Sequence, residues 1–65
     1  MKDNKGNPLE IGNKVFAYNP ENGNEFVGTI EGIKTDTDGS FYAEVSDQDY
    51  NIFCLTSEDL ILETV

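Results

Sequence analysis

Residues 25–46 read EFVGTIEGIKTDTDGSFYAEVS, and this stretch decides the fold. β-Branched and aromatic residues are concentrated in two runs, Glu25–Ile33 and Phe41–Ser46, as is typical of strands. The Asp38-Gly39 pair between the two runs favours a tight hairpin, because glycine accepts the positive φ angle that such a turn needs. The stretch therefore predicts two antiparallel strands joined by a short turn.

Further strands are predicted on both sides of this hairpin. Upstream, Lys14–Tyr18 predicts a first strand, and the proline and Asn-Gly of Asn19–Asn24 predict the loop that follows it. Downstream, a turn at Asp47–Asp49 leads into a predicted fourth strand, Tyr50–Leu55. No stretch keeps a helical period over a length that a stable helix needs. An all-β fold is therefore expected.

The end of the sequence adds one helical turn and one short strand. Thr56 or Ser57 can cap a turn that has acidic residues at its start, and Leu60–Leu62 predicts a closing strand. Five strands with tight hairpins and a 3-10 turn before the last strand are the layout of a small SH3-like barrel. Gly28 and Gly32 are expected where the long second strand bends, so that a side chain there would meet facing backbone.

The length of 65 residues allows a single domain. Residues 1–8 are polar, contain Gly6 and Pro8, and predict a flexible N-terminal arm. The barrel domain is assigned to residues 9–65. No apolar stretch resembles a secretion signal or a membrane span, and the chain has one cysteine, so a cytoplasmic location without membrane contact is expected.

The charge of the chain limits its partners. Thirteen acidic residues against four lysines give a net charge of −9, and arginine and histidine are absent. Binding to a nucleic-acid backbone depends on clustered cations, so direct binding of nucleic acid is disfavoured. A basic protein surface is the expected partner, with the domain itself a monomer or a weak homodimer.

A resemblance to a known group of domains rests on short motifs spread along the chain. They are Asp3, Gly6, Gly12 and Val15 in the spacing Asp-x-x-Gly-x-x-x-x-x-Gly-x-x-Val, then Leu9, Gly28-Thr29-Ile30, Phe41-x-Ala43-x-Val45, and Glu58-Asp59-Leu60 leading into Leu62. With these motifs the chain resembles small SH3-like barrel modules of KOW type, of Tudor type, and of small phage and bacterial proteins. The resemblance implies the barrel fold and a bacterial or phage origin.

The resemblance carries no functional residue over to this chain. KOW-type domains that bind RNA use basic residues, and this sequence departs from that pattern, since its four lysines are dispersed and outnumbered by thirteen acidic residues. Tudor-type domains hold methylated side chains in an aromatic cage. The aromatic residues available for such a cage here are Phe16, Tyr18, Tyr42, Tyr50 and Phe53.

The sequence nominates no catalytic, cofactor or metal site. Asp36–Ser40 resembles part of a calcium loop, but alignment places Lys34 and Val45 at positions that require carboxylates. A hydroxyl or thiol nucleophile normally needs a base, and histidine is absent. Cys54 lies in the apolar run Ile52–Leu55 and is expected to be a buried, inert side chain. The domain is therefore predicted not to be an enzyme.

Alternation along the central hairpin predicts which side chains share a face. With the turn at Asp38-Gly39, the predicted core face carries Ile30, Gly32, Phe41, Ala43 and Val45. The predicted outer face carries Val27, Thr29, Glu31, Ile33, Tyr42, Glu44 and Ser46. In the fourth strand, Ile52 and Cys54 point one way and Phe53 and Leu55 the other. The apolar residues on the outer side are either covered by the N-terminal arm or the 52–62 segment, or bind a partner or second copy.

Two functional hypotheses follow from this pattern. The first is a non-enzymatic acidic interaction module, whose partner contacts Glu31, Tyr42, Glu44, Asp47 and Asp49. The alternative is a nucleic-acid-associated barrel of KOW type that acts within a larger complex. The charge of the chain favours the first.

We expect salt to stabilise the domain, because a net charge of −9 on a small surface opposes compaction and ions screen that repulsion over about 8 Å at physiological ionic strength. Thermal melts in rising sodium chloride should shift upward through the sub-molar range. Potassium chloride at equal ionic strength is the control and should give the same shift. A melting temperature that falls steadily with salt would contradict the repulsion argument.

Overall fold

The computed structural model describes residues 1–63, so residues 64 and 65 of the assigned domain lie outside the described residues. It contains a 3-10 turn, Ser57–Asp59, and five strands: β1 Lys14–Tyr18, β2 Glu25–Thr35, β3 Phe41–Ser46, β4 Ile52–Leu55 and β5 Leu60–Leu62. The strands form one sheet in the order β4-β3-β2-β1-β5, and all four pairings are antiparallel. The predicted all-β fold with its 3-10 turn before the last strand is confirmed.

The sheet has two edges within the described residues. No pairing among residues 1–63 joins β4 to β5, so the sheet is not closed into a barrel by hydrogen bonds. No helix in the same range has the length and apolarity of a membrane crossing.

The long strand β2 pairs with two neighbours along different parts of its length. Glu25–Thr29 pairs with β1, and Thr29–Thr35 pairs with β3, so the two pairings meet at Thr29. The register with β3 shifts between Ile30 and Gly32, which makes Glu31 the extra residue of a β-bulge. A bulge inserts one residue into one strand and thereby reverses the facing of every residue beyond it.

The bulge corrects two assignments of the sequence analysis. Gly32 was predicted on the core face, but it lies opposite Glu44, whereas Ile33 was predicted on the outer face and lies opposite Ala43. Ile33 packs against the core as a result. Phe41, also predicted in the core, is 55% exposed and lines a cleft at the end of the hairpin.

A small aliphatic cluster forms the core. Its buried residues are Leu9, Val15, Ala17, Ile30, Ala43, Val45, Leu55 and Leu60. Phe26 and Phe53 border it, with their ring centroids 5.5 Å apart and the rings tilted by 52°. Full burial of a side chain such as Ile30 contributes about 1.5–3 kcal/mol, so each member of so small a core matters to stability.

Cys54 is exposed, and the prediction that it is buried was wrong. The side chains of β4 alternate as expected, and this alternation sends Phe53 and Leu55 toward the core while Ile52 and Cys54 face outward. An apolar run is buried on both faces only where the sheet is covered on both faces. This sheet leaves Ile52 and Cys54 uncovered.

The N-terminal segment lies against the edge strand β5. The Asn4 amide donates to the Leu60 carbonyl at 2.9 Å, and the Leu62 amide donates to Asp3 Oδ2 at 2.7 Å. A bridge between Lys2 and Pro8 folds the segment on itself. These contacts attach the N-terminal segment to β5. They also place the arm away from the outer residues Val27 and Ile52, which stay 49% and 50% exposed.

Asp3 is the centre of this attachment and is only 4% exposed. Besides Leu62, its carboxylate accepts hydrogen bonds from the backbone amides of Lys5 and Asn7 and from Asn7 Nδ2. Burial alone would raise the pKa of Asp3, but these hydrogen bonds outweigh it and lower the pKa to about 2. The charged form of Asp3 therefore holds the arm on β5.

We expect Asp3→Asn to reduce stability at neutral pH by about 1–3 kcal/mol, because the amide cannot accept all four hydrogen bonds. Since the pKa of Asp3 is lowered on folding, its contribution is complete above pH 4 and is lost as the pH falls toward 2. Denaturant titrations across this range should show a steeper loss in the wild type than in Asp3→Asn. Equal slopes, or rapid hydrogen exchange at the Leu62 amide, would support the flexible arm instead.

Gly28 approaches β3 more closely than a side chain would allow. A Cβ atom at Gly28 would lie 2.7 Å from the backbone oxygen of Ser46 and 2.5 Å from Val45 Cγ1. At Gly32 the only neighbour is the flexible carboxylate of Glu44, with Oε1 at 2.8 Å from the added atom. The predicted meeting with facing backbone holds for Gly28 and not for Gly32.

We expect Gly28→Ala to destabilise the domain by about 1–3 kcal/mol, since the facing backbone must move. Gly32→Ala is the matched control and should cost less, because the Glu44 side chain can rotate away. Chemical denaturation of both variants measures the difference. A larger loss for Gly32→Ala would contradict the packing at Gly28.

Candidate interaction face

The structure places three of the five nominated residues on one face of the sheet. Tyr42 and Glu44 point outward from β3, and Glu31 projects from the bulge of β2 beside them. Asp47 and Asp49 lie in the turn that joins β3 to β4. We refer to these five residues as the acidic face.

Glu44 lies in the middle of the outer face and is paired with a lysine. Lys34 Nζ is 3.2 Å from Glu44 Oε1, and this hydrogen bond and ion pair raise the pKa of Lys34. Gly32 lies directly across from Glu44 on β2, and its missing side chain leaves room for the carboxylate. Exposed ion pairs contribute little to stability because water and salt screen them, so a partner can displace this pair at low cost.

Glu31 is oriented by a hydrogen bond from the neighbouring strand. Ser46 Oγ donates to Glu31 Oε2 at 2.8 Å, and Ser46 itself is only 6% exposed. Glu31 is the extra residue of the bulge, and its side chain reaches Ser46 on β3. Bulges commonly redirect a side chain in this way. The Glu31-Gly32 pair in mid-strand is the sequence signal for this bulge, since glycine inside a strand often marks one.

Tyr42 borders a groove on the outer side of the hairpin. The groove has a volume of about 310 Å³ and is lined by Asp36, Tyr42, Cys54 and Thr56. Tyr42 is half-buried, and Lys34 lies across from it on β2. The exposed part of the Tyr42 ring is therefore available for contact, and the carboxylate of Asp36 lines the same groove.

Asp47 stabilises the turn from within. Its carboxylate accepts hydrogen bonds from the amides of Asp49 and Asn51 at 2.9 Å and from Asn51 Nδ2 at 3.2 Å. Partial burial raises the pKa of Asp47, but the hydrogen bonds from Asn51 and Asp49 outweigh it and lower the pKa overall. Asp47 thus has a structural role, whereas Asp49 is exposed at the tip of the turn.

The same turn occurs three times within residues 1–63. In residues 3–7, 36–40 and 47–51, the amide of the leading aspartate donates to the carbonyl four residues later, and its own carbonyl accepts from the amide three residues later. The fourth position has a positive φ angle at Gly6, Gly39 and Tyr50. Tyr50 was predicted to be the first residue of β4, but it belongs to the turn. Its side chain is 85% exposed.

The aromatic residues do not form a cage. Phe53 packs on the core side against Phe26, Tyr42 lies near the start of β3, and Tyr50 lies beyond its end. Within residues 1–63, no group of three or more histidine, cysteine or acidic side chains is arranged to hold a metal ion.

A second shallow cleft lies at the end of the sheet where the acidic face reaches its turn. It has a volume of about 390 Å³ and is lined by Asn19, Phe26, Val27, Asp47, Gln48 and Asp49. Val27 contributes an exposed apolar side chain beside the carboxylate of Asp49. The carboxylates of the turn therefore border apolar surface as well as solvent.

In comparisons with known proteins, no family model and no curated protein sequence matches this chain.

Proposed function

We propose that this domain is a non-enzymatic interaction module that binds a basic surface of another protein through the acidic face. The observation that carries the proposal is the placement of Glu31, Tyr42 and Glu44 on one outward face of a chain with a net charge of −9. An aromatic side chain on the same face as carboxylates offers apolar contact area together with charge complementarity.

The two kinds of side chain have different roles in binding. Carboxylates such as Glu31, Glu44 and Asp49 attract a cationic partner over several ångströms and raise the association rate, and salt weakens their effect. Tyr42 acts after contact, because a buried tyrosine at an interface slows dissociation. A cytoplasmic location and a domain that is a monomer or a weak homodimer are part of this proposal.

We also propose that the sheet is a small SH3-like barrel. The strand order and the shared pairing of β2 with β1 and β3 support a sheet that bends across itself. The close approach of Gly28 to Ser46 on β3 also supports it, as does the full burial of Ile30 on β2 and Leu60 on β5. A sheet that bends in this way leaves the outer face of the β2–β3 hairpin available to a partner.

The alternative, a nucleic-acid-associated barrel of KOW type, is separated by a mobility-shift assay at low salt. The charge of −9 predicts no shift of either DNA or RNA by the isolated domain. A shift that disappears with added salt would favour the alternative.

We expect Tyr42→Ala to weaken capture of a partner from cell lysate by about tenfold or more, since an interface tyrosine often contributes at least 1.4 kcal/mol. Glu31→Gln/Glu44→Gln should weaken capture at low salt and lose this effect at high salt. Capture is measured by quantitative mass spectrometry on immobilised variants whose folding has been checked by circular dichroism.

The matched control is Glu10→Gln/Glu21→Gln, which removes the same charge from exposed positions outside the acidic face. This control should retain capture. If all three variants retain the same partner at full strength, the acidic face is not the site. If the control loses as much as Glu31→Gln/Glu44→Gln, total charge rather than this face determines binding.

A further inference from the structure

Within residues 1–63, the N-terminal arm covers one edge of the sheet, and no segment pairs with the other edge. At β5, the arm covers the edge, with Asn4 donating to Leu60 and Asp3 accepting from Leu62. At the opposite edge, β4 pairs with β3 alone among residues 1–63. An edge strand with unpaired amides and carbonyls is a template for another strand.

The register determines which backbone groups of β4 face outward. The Asp47 amide donates to the Asn51 carbonyl at 3.0 Å, so these two residues form a hydrogen-bonded pair. Hydrogen-bonded and non-hydrogen-bonded pairs alternate along an antiparallel ladder. Phe53 and Leu55 therefore direct their amides and carbonyls toward β3, and Ile52 and Cys54 direct theirs toward the open edge.

The side chains of β4 do nothing to repel an incoming strand. Natural edges commonly carry lysine, proline or a bulge, but Ile52–Leu55 is uncharged and regularly paired. Ile52 is 50% exposed, and Cys54 is exposed beside the groove lined by Tyr42. The edge is thus open in its backbone and apolar in its side chains.

The charges around β4 select the kind of strand that fits. Asp49 precedes the strand in its turn, Glu58 follows it, and Asp36 lines the groove beside Cys54. A second copy of the chain would bring another net charge of −9 to this edge, which is repulsive. A segment with lysine or arginine on alternate positions would meet carboxylates instead.

We propose that β4 is a docking edge, to which an extended, lysine- or arginine-bearing segment of a partner protein adds as a sixth strand. The inference rests on the proposed interaction function and names its mode: backbone hydrogen bonds to Ile52 and Cys54 hold the segment. Its cationic side chains lie on the outer face near Asp36 and Asp49, and its apolar side chains lie beside Phe53 and Leu55.

The test uses the whole chain and a short synthetic peptide in which lysine alternates with valine, with a glutamate–valine peptide as the control. Binding of the fluorescently labelled peptides is measured by anisotropy at low salt. Cys54→Pro removes an outward amide and leaves the ladder to β3 intact, as proline is tolerated at the open side of an edge strand. Cys54→Ala, which keeps the amide, is its matched control.

The lysine–valine peptide should bind the wild type and Cys54→Ala equally, and Cys54→Pro more weakly by about tenfold or more. A second measurement needs no variant: hydrogen exchange by nuclear magnetic resonance should slow at the amides of Ile52 and Cys54 when the peptide binds. Those of Phe53 and Leu55, already bonded to β3, should change little. Exchange decides the question even if Cys54→Pro does not fold.

Three results of the peptide experiment would overturn the docking edge. They are no binding of the lysine–valine peptide at millimolar concentration, equal binding of both peptides, and binding without slower exchange at Ile52 and Cys54. Sedimentation that shows a wild-type dimer and a monomeric Cys54→Pro would identify a second copy as the occupant and would also overturn the proposal. Loss of lysate capture in Tyr42→Ala with full capture by Cys54→Pro would leave the interaction function in place and reject the edge.

Discussion

The close approach of β2 to β3 at Gly28 is the constraint on which the rest of the structure depends. The backbone oxygen of Ser46 lies only 2.7 Å from the point where any other residue would have its Cβ atom, which is too close for a side chain. Because of this approach, one strand pairs with β1 through its first half and with β3 through its second half. Ile30 is fully buried just beyond this point, and the small aliphatic core is assembled around it. A chain of this length has little apolar surface to bury, so it depends on tight backbone packing.

The bulge at Glu31 connects this packing to the outer surface. Beyond the bulge, Ile33 turns toward the core and Gly32 lies opposite Glu44, which leaves space for the Glu44 carboxylate and its ion pair with Lys34. Glu31 itself is held by Ser46. The irregularity that completes the core is therefore also the one that orients the carboxylates. Bulges commonly re-aim side chains in this way.

The two sheet edges differ in whether their backbone amides and carbonyls have hydrogen-bond partners within residues 1–63. At β5, the buried carboxylate of Asp3 accepts a hydrogen bond from the Leu62 amide, as a neighbouring strand would. Three further hydrogen bonds stabilise the charged form of Asp3. At β4, no equivalent segment of residues 1–63 is present. Edge protection in a small sheet is local, so one covered edge does not protect the other. Because of this difference, the unpaired amides and carbonyls of β4 lie beside the acidic face.

Local chemistry in the sequence determined the strands, the turns and the charge. Alternation and turn residues located all five strands, the 3-10 turn and the outward positions of Tyr42 and Glu44, because these depend on residues next to each other in the chain. The tertiary structure decided the bulge, the exposure of Cys54 and the attachment of the arm. The register of β2 against β3 reversed Gly32 and Ile33, the position of β4 at an edge exposed Cys54, and Asp3 found its partner 59 residues away at Leu62. The exposure of Cys54 and the attachment of the arm are set by pairing between distant segments, which adjacent residues do not encode. For the bulge, Gly32 marks the position in the sequence, and the pairing of β2 with β3 decides the register.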